Sequence, residues 1–154
     1  MAQVDYCLKI EGIEGDSASM KGAIDVNSFS WGESNQAMAG QGAGKVQMQD
    51  AHFTMPINKA SVKIAEFCAK GTPITKAVLT CRRGPGNPPL EFLKYTFEQG
   101  FISNYSTSGN DGSILPNDTF QMNFGKVEIA YQEGDKNNRG KGWISMKYNV
   151  KEGR

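Results

Sequence analysis

The sequence predicts a mainly β protein, a compact curved antiparallel β-barrel with one flanking α-helix. Three observations carry that prediction. Apolar and polar residues alternate with period two from end to end, the pattern of strands with one buried face. The alternation slips by one residue at several points, as it does in strongly curved, bulged strands. A single segment, NKASVKIAEFCAKG, follows helical spacing instead.

In chain order, Val4, Tyr6, Leu8 and Ile10 alternate with Asp5, Cys7 and Lys9 and define a first strand. In IDVNSFSWG the apolar positions run Ile24, Val26, then Phe29 and Trp31, so the phase changes around Asn27 and a bulge is expected there. Similar slips separate Val46 and Met48 from Phe53 and Met55, and Phe124 from Val127, Ile129 and Tyr131, with Gly125 at the second break. Further strands are expected at Ile74 to Arg83, Leu90 to Phe97, Phe101 to Ser106, Thr119 to Tyr131 and Trp143 to Val150. Clusters of Gly, Asn, Asp and Pro separate them, and GPGNPP at 84 to 89 marks a turn. The helical segment aligns Ala60, Ile64, Phe67 and Cys68 on one face, with Asn58 or Ser61 available to cap its start and Gly71 to end it.

No internal repeat, linker or composition shift divides the chain, so residues 1–154 are expected to form a single domain. A chain of 154 residues buries roughly 70% of its unfolded surface on folding and needs no metal or disulfide scaffold. Seventeen basic residues against sixteen acidic ones, a net charge of +1, remove the electrostatic signature of nucleic-acid binding. No stretch is long and apolar enough to insert in a membrane as a helix, and MAQVDYCLKIEGIEGDS does not resemble a secretory signal peptide. Cys7, Cys68 and Cys81 are odd in number and far apart, the usage of a reducing cytoplasm with buried structural thiols.

The stretch AGQGAGKV, residues 39 to 46, invites a nucleotide-binding reading that its spacing refuses. A P-loop requires glycine where Ala39 stands and Ser or Thr where Val46 stands. The dinucleotide fingerprint fails as well, because Gly40, Gly42 and Gly44 are spaced by two and a strand-like VQMQD follows. His52 is the sole histidine, which excludes multi-histidine metal sites. There is no Cys-x-x-Cys pair and no G-x-S-x-G element, and Glu14 with Asp16 lies in a turn-like segment without a helper group. No catalytic residue, cofactor site or metal site is therefore expected, and the chain is not expected to be an enzyme.

Taken together, KIEGIEGDS, IDVNSFSWG, the glycine-rich arm leading into AGKVQMQDAHFT, and NFGKVEIAYQ resemble the hemolysin-coregulated protein (Hcp) family, which forms the inner tube of the bacterial type VI secretion system. The resemblance spans nearly the whole chain and keeps the order of elements. It implies a structural subunit that forms hexameric rings, which stack into a secreted tube carrying or chaperoning effectors in the lumen. It further implies effector, spike and sheath partners, with the protein cytoplasmic before firing and then exported without a signal peptide. Two departures stand out: SASMKGA replaces a histidine-containing segment frequent among relatives, with Asp16 where glutamate is common, and no C-terminal toxin extension of the kind some relatives carry is expected.

Site expectations follow from that resemblance. Phe29 and Trp31 claim the apolar face of NSFSWG, so Ser28 and Ser30 point the other way and are candidates for lumen and effector contact. The arm from about Glu33 to Lys45 is the candidate for contact between subunits or rings, with Met38, Gly40, Gly42, Gly44 and Lys45 as its key residues. The barrel pattern alone also leaves open a small-molecule binding carrier.

Overall fold

The computed structural model describes residues 4–35, 46–84, 86, 89–112, 114–134 and 139–154. The first strand, β1 (Val4–Ile10), buries Leu8 and Ile10 and pairs with the short β2 (Ile24–Asp25). Next come β3 (Ser28–Ser30), β4 (Glu33–Asn35), β5 (Val46–Met48) and β6 (Ala51–Pro56), then α1 (Ser61–Lys70). The remainder is β7 (Ile74–Arg83), the long β8 (Leu90–Ser108), β9 (Asn117–Asn123), β10 (Lys126–Gly134) and β11 (Gly140–Asn149). The expected strand Ile74 to Arg83 is present at those bounds, and the single helix sits where the spacing placed it.

Every pairing is antiparallel, in the order β2-β1-β7-β8-β9-β6-β3, with β10 paired to β8 and β11 to β10. No ladder joins β2 to β3, so the sheet does not close as a continuous hydrogen-bonded barrel. Instead the two end strands are successive pieces of one segment. Val26 N–H donates to the Tyr6 carbonyl at 3.0 Å and Asn27 N–H to the Thr54 carbonyl at 2.7 Å, so the chain leaves one ladder and joins the other within two residues. The phase change around Asn27 is this crossing rather than a bulge. Bulges lie instead at Cys81/Arg82, Ile102/Asn104 and Gln132/Gly134.

The two strands expected at Leu90 to Phe97 and Phe101 to Ser106 are one bent strand. Its first half pairs with β7 and β10 and its second half with β9. Gln99 takes a left-handed φ of 57° at the bend, and a Cβ on Gly100 would lie 2.3 Å from the Asn123 carbonyl oxygen. The strand expected from Thr119 to Tyr131 is two strands, divided at Gly125, whose N–H is shared by the Glu98 and Gln99 carbonyls. The helix start also departs from expectation: neither Asn58 nor Ser61 caps it as a side chain, and Ala60 occupies the cap position. Asn58 Oδ1 instead accepts the Ala60 N–H at 2.8 Å, and Ser61 Oγ accepts the Asn58 N–H at 2.9 Å, an Asx-type turn leading in. Gly71 ends the helix in the left-handed conformation, as expected.

The core between the layers is filled by Leu8, Ile24, Phe53, Met55, Phe120 and Met122, with Ala60 and Ile64 brought in by α1. Lys63, Glu66 and Lys70 lie on the solvated helix face and pair with one another. Among the described residues no helix is long and apolar enough to cross a membrane.

Candidate functional site

Ser28 and Ser30 are both exposed on β3, while Phe29 between them turns inward against Tyr6 and Tyr95 at ring distances of 5.3 and 5.5 Å. The alternation thus places the two hydroxyls as the sequence led one to expect. Strand register then adds what alternation alone does not supply. Ser28 stands opposite Thr54, Thr54 opposite Thr119, and Thr119 opposite Ser106, a row made entirely of hydroxyls across four strands. One step along, Ser30 faces His52, His52 faces Gln121, and Gln121 faces Asn104.

At about 4.8 Å per strand these rows run about 14 Å across the sheet. None of their eight residues is an aspartate, glutamate, lysine or arginine. Within the first row the Ser28 and Thr54 hydroxyls hydrogen-bond to each other. At the edge of the face Asp50 is held by Ser103 Oγ at 2.6 Å and Asn123 Nδ2 at 3.1 Å, so its carboxylate is already engaged by neutral donors.

The opposite side of the same strands is packed with aromatic side chains. Phe29, Phe53, Phe120 and Tyr105 form one cross-strand row, and the Phe53 and Phe120 rings lie 5.2 Å apart. Below that row the Tyr105 hydroxyl donates to the fully buried Asp118. Burial and the neighbouring Asp118 carboxylate together push the Tyr105 phenol above its ordinary range.

The arm candidates Met38, Gly40, Gly42, Gly44 and Lys45 lie outside the described residues. What is described is the base of the arm: β4 and β5 pair with each other, Glu33 opposite Met48 and Asn35 opposite Val46. Glu33–Asn35 and Val46–Met48 thus form a two-stranded stem, with Met48 packed against the core. Sequence reasoning missed Thr54, His52, Thr119, Gln121, Asn104 and Ser106 as companions of the two serines. Each follows local alternation, but pairing across up to 78 sequence positions, Ser28 to Ser106, is visible only in the register.

Chemistry elsewhere is sparse. Among the described residues no group of three His, Cys, Asp or Glu side chains is placed to hold a metal ion. All three cysteines are free, Cys7 and Cys81 buried and Cys68 half-buried. Burial pushes the Cys81 thiol up to about 12, and it raises Cys7 against the opposing pull of the Arg82 guanidinium. Glu14 pairs with Lys59 at 3.4 Å in solvent, the solvated turn expected for it. A depression of about 610 Å³ is a surface groove along Lys9 to Glu14, Lys76 and Val78. The interior itself is packed by buried side chains.

Comparison with known proteins agrees with this architecture. A family model described as type VI secretion system effector, Hcp, matches residues 7–131. Protein hcp1 of Pseudomonas aeruginosa is 34% identical over 135 residues, covering 84% of this chain and 83% of that protein. Hcp1 from Salmonella typhimurium superposes with a TM-score of 0.82 at 33% identity, over 100% of this chain and 99% of that one. A structure described as a type six secretion system protein superposes with a TM-score of 0.90 at 25% identity, over 99% of each chain.

Proposed function

Because the chain belongs to the Hcp family and is a tube protein of the type VI secretion system, we propose that it closes into a hexameric ring whose opening is lined by the two polar rows of β3, β6, β9 and β8. Rings then stack into the secreted tube, and the polar face holds effectors during transit. Spike and sheath components are its further partners. The role is structural and not catalytic.

One observation carries the lumen assignment: eight uncharged-type polar side chains, Ser28 and Ser30 among them, form a continuous face in a chain with 33 charged residues, 17 basic and 16 acidic. Such a face supplies many weak hydrogen-bonding groups and no strong single site, which suits a surface that must hold a passenger and later release it. Solvated protein faces ordinarily mix charges of both signs, so the omission calls for a cause.

Coupling small gold particles to a Ser30→Cys variant and imaging its rings by electron microscopy tests the assignment. Gold within the opening is the expected result; gold on the outer rim, or the absence of rings from the unmodified protein, overturns it. The arm carried by β4 and β5 is proposed to contact a neighbouring subunit or ring, with Met38 burying against the partner and Gly40, Gly42, Gly44 and Lys45 lying in that contact. Deleting residues 36 to 43 is expected to leave the circular dichroism of the body unchanged while reducing ring number or stacking in gel filtration.

A further inference from the structure

A closed ring of identical subunits joined head to tail needs two different surfaces on each subunit, because every interface pairs one patch with another rather than with itself. Two apolar patches meet that requirement. The first continues the core face past the edge of the body. Ile144 on β11 stands beside Tyr131 on β10, which stands beside Leu93 on β8, and Met146 stands beside Ile129 in the next register. These positions share a face with Val127 and Phe97, which are buried, yet Ile144 is 77% exposed, Tyr131 42% and Met146 40%. The apolar surface thus runs on from the core with nothing of the described chain above it. Among the described residues β11 pairs only with β10, so they leave its outer edge uncovered as well.

The second patch lies at the start of β9 and the end of β6. Ile114 is 97% exposed, Leu115 51% and Ile57 40%. Ile57 N–H donates to the Pro116 carbonyl at 3.0 Å, which fixes the two segments side by side. Ile57 and Leu115 border a surface hollow of about 210 Å³ shared with Asp16, Asp25, Pro56 and Asn58.

The patches sit at opposite ends of β8, one beside Leu93 and the other beside Ser108, which pairs with Asn117. They cannot form one surface on a single subunit. From these exposures each presents on the order of 300 Å² of apolar area, at the threshold where an exposed patch signals an interaction site. Together they supply about two-thirds of the roughly 900 Å² of apolar surface in a standard protein interface. The first patch is itself free of charge at Ile144, Met146, Ile129, Tyr131 and Leu93, since Lys147 alternates to the other face of β11 and pairs there with Glu128 at 3.4 Å.

We infer that the ring contact, on the ring reading given above, seats Ile144 and its β10 and β8 neighbours on the Ile57, Ile114 and Leu115 patch of the next copy of this chain, with Ile144 entering the hollow. The occupant of each patch is therefore the other patch of a second copy.

Mixing single variants tests this. Ile144→Asp spoils the first patch and leaves the second, and Leu115→Asp does the reverse. Light scattering and native mass spectrometry are expected to find rings for the unmodified protein, monomers for each variant alone, and dimers that grow no further in an equal mixture, since the mixture retains one good interface. Matching circular dichroism and melting curves establish that each variant folds. Should either variant unfold, Ile144→Cys with Leu115→Cys in a Cys68→Ser background is used instead, and oxidation is expected to give a ladder of linked subunits up to the ring. Rings that survive both aspartate changes, an equal mixture that stays monomeric, or links formed by Ile144→Cys alone overturn the pairing while leaving the ring standing, and assign the patches to another partner. A monomeric unmodified protein overturns the ring itself, and the pairing with it.

Discussion

The Tyr105 hydroxyl donates a 3.1 Å hydrogen bond to Oδ2 of Asp118, a carboxylate with no exposure to solvent. The other oxygen, Oδ1, has no partner among the described residues. The acid is thus held by a single side-chain donor beneath the polar face. Tyr105→Phe deletes that donor and leaves a buried carboxylate bare, so it is expected to cost about 1–3 kcal/mol in urea unfolding. Adding Asp118→Asn, which removes the charge, is expected to recover part of the loss.

Alkaline pH is expected to weaken the fold. Cys81 ionises near 9.0 when exposed and about 12 when folded, and burial raises Cys7, Tyr95 and Tyr105 in the same direction. A raised acid holds its proton longer in the folded chain than in the unfolded one. Its contribution is complete below pH 9 and is lost as pH climbs through the folded value. For Cys81 this amounts to roughly 1 kcal/mol per pH unit. Urea midpoints measured either side of pH 9 are expected to fall on the alkaline side, and Cys81→Ala to flatten that slope. An equal slope in the variant refutes the assignment.

The bend of β8 yields a paired prediction. Gly100→Ala pushes a methyl to 2.3 Å from a backbone oxygen that cannot easily withdraw, and is expected to destabilise by about 1–3 kcal/mol. Gln99→Gly relieves the left-handed strain at φ 57° and is expected to stabilise by about 1 kcal/mol. Thermal melts of both variants check the sign of each change.

Effector retention is expected to depend on the polar rows. Ser30→Gln places a long amide where β3 meets His52, and is expected to reduce co-purification of an effector about tenfold, equivalent to 1.4 kcal/mol. Gel filtration is expected to show rings of unchanged size. Loss of rings together with loss of effector would place Ser30 in assembly instead.

Much of the fold is legible in the residues because it rests on local alternation. The apolar positions of β1 follow it from Val4 to Ile10, and α1 declares itself through Ala60, Ile64 and Gly71. What alternation does not carry is where a strand changes partners. Around Asn27 and Gly125 the apolar phase shifts, but the sequence records only the shift, not whether the cause is a bulge, a crossing or a chain reversal. At Gln99 the reverse holds: the pattern suggests an ending, whereas the backbone turns through φ 57° and continues. The site was half visible for the same reason. Ser28 and Ser30 follow from Phe29, yet Thr119 and Gln121 join them only because β6 lies between β3 and β9.

Two rows with no carboxylate, ammonium or guanidinium, bordered only by an Asp50 already engaged by Ser103 and Asn123, gather little ion cloud, and a protein that settles there has few counterions to displace. Electrolyte attenuates attraction between formal charges over about 10 Å at 0.1 M salt, but it scarcely touches contacts between hydroxyls and amides. On the proposed lumen assignment, a passenger held by Ser28, Thr54, Thr119 and Ser106 and by the row beside them is expected to keep nearly the same grip in dilute buffer and in brine. In the proposed tube, the strength of that hold is expected to vary little with the salinity at either end.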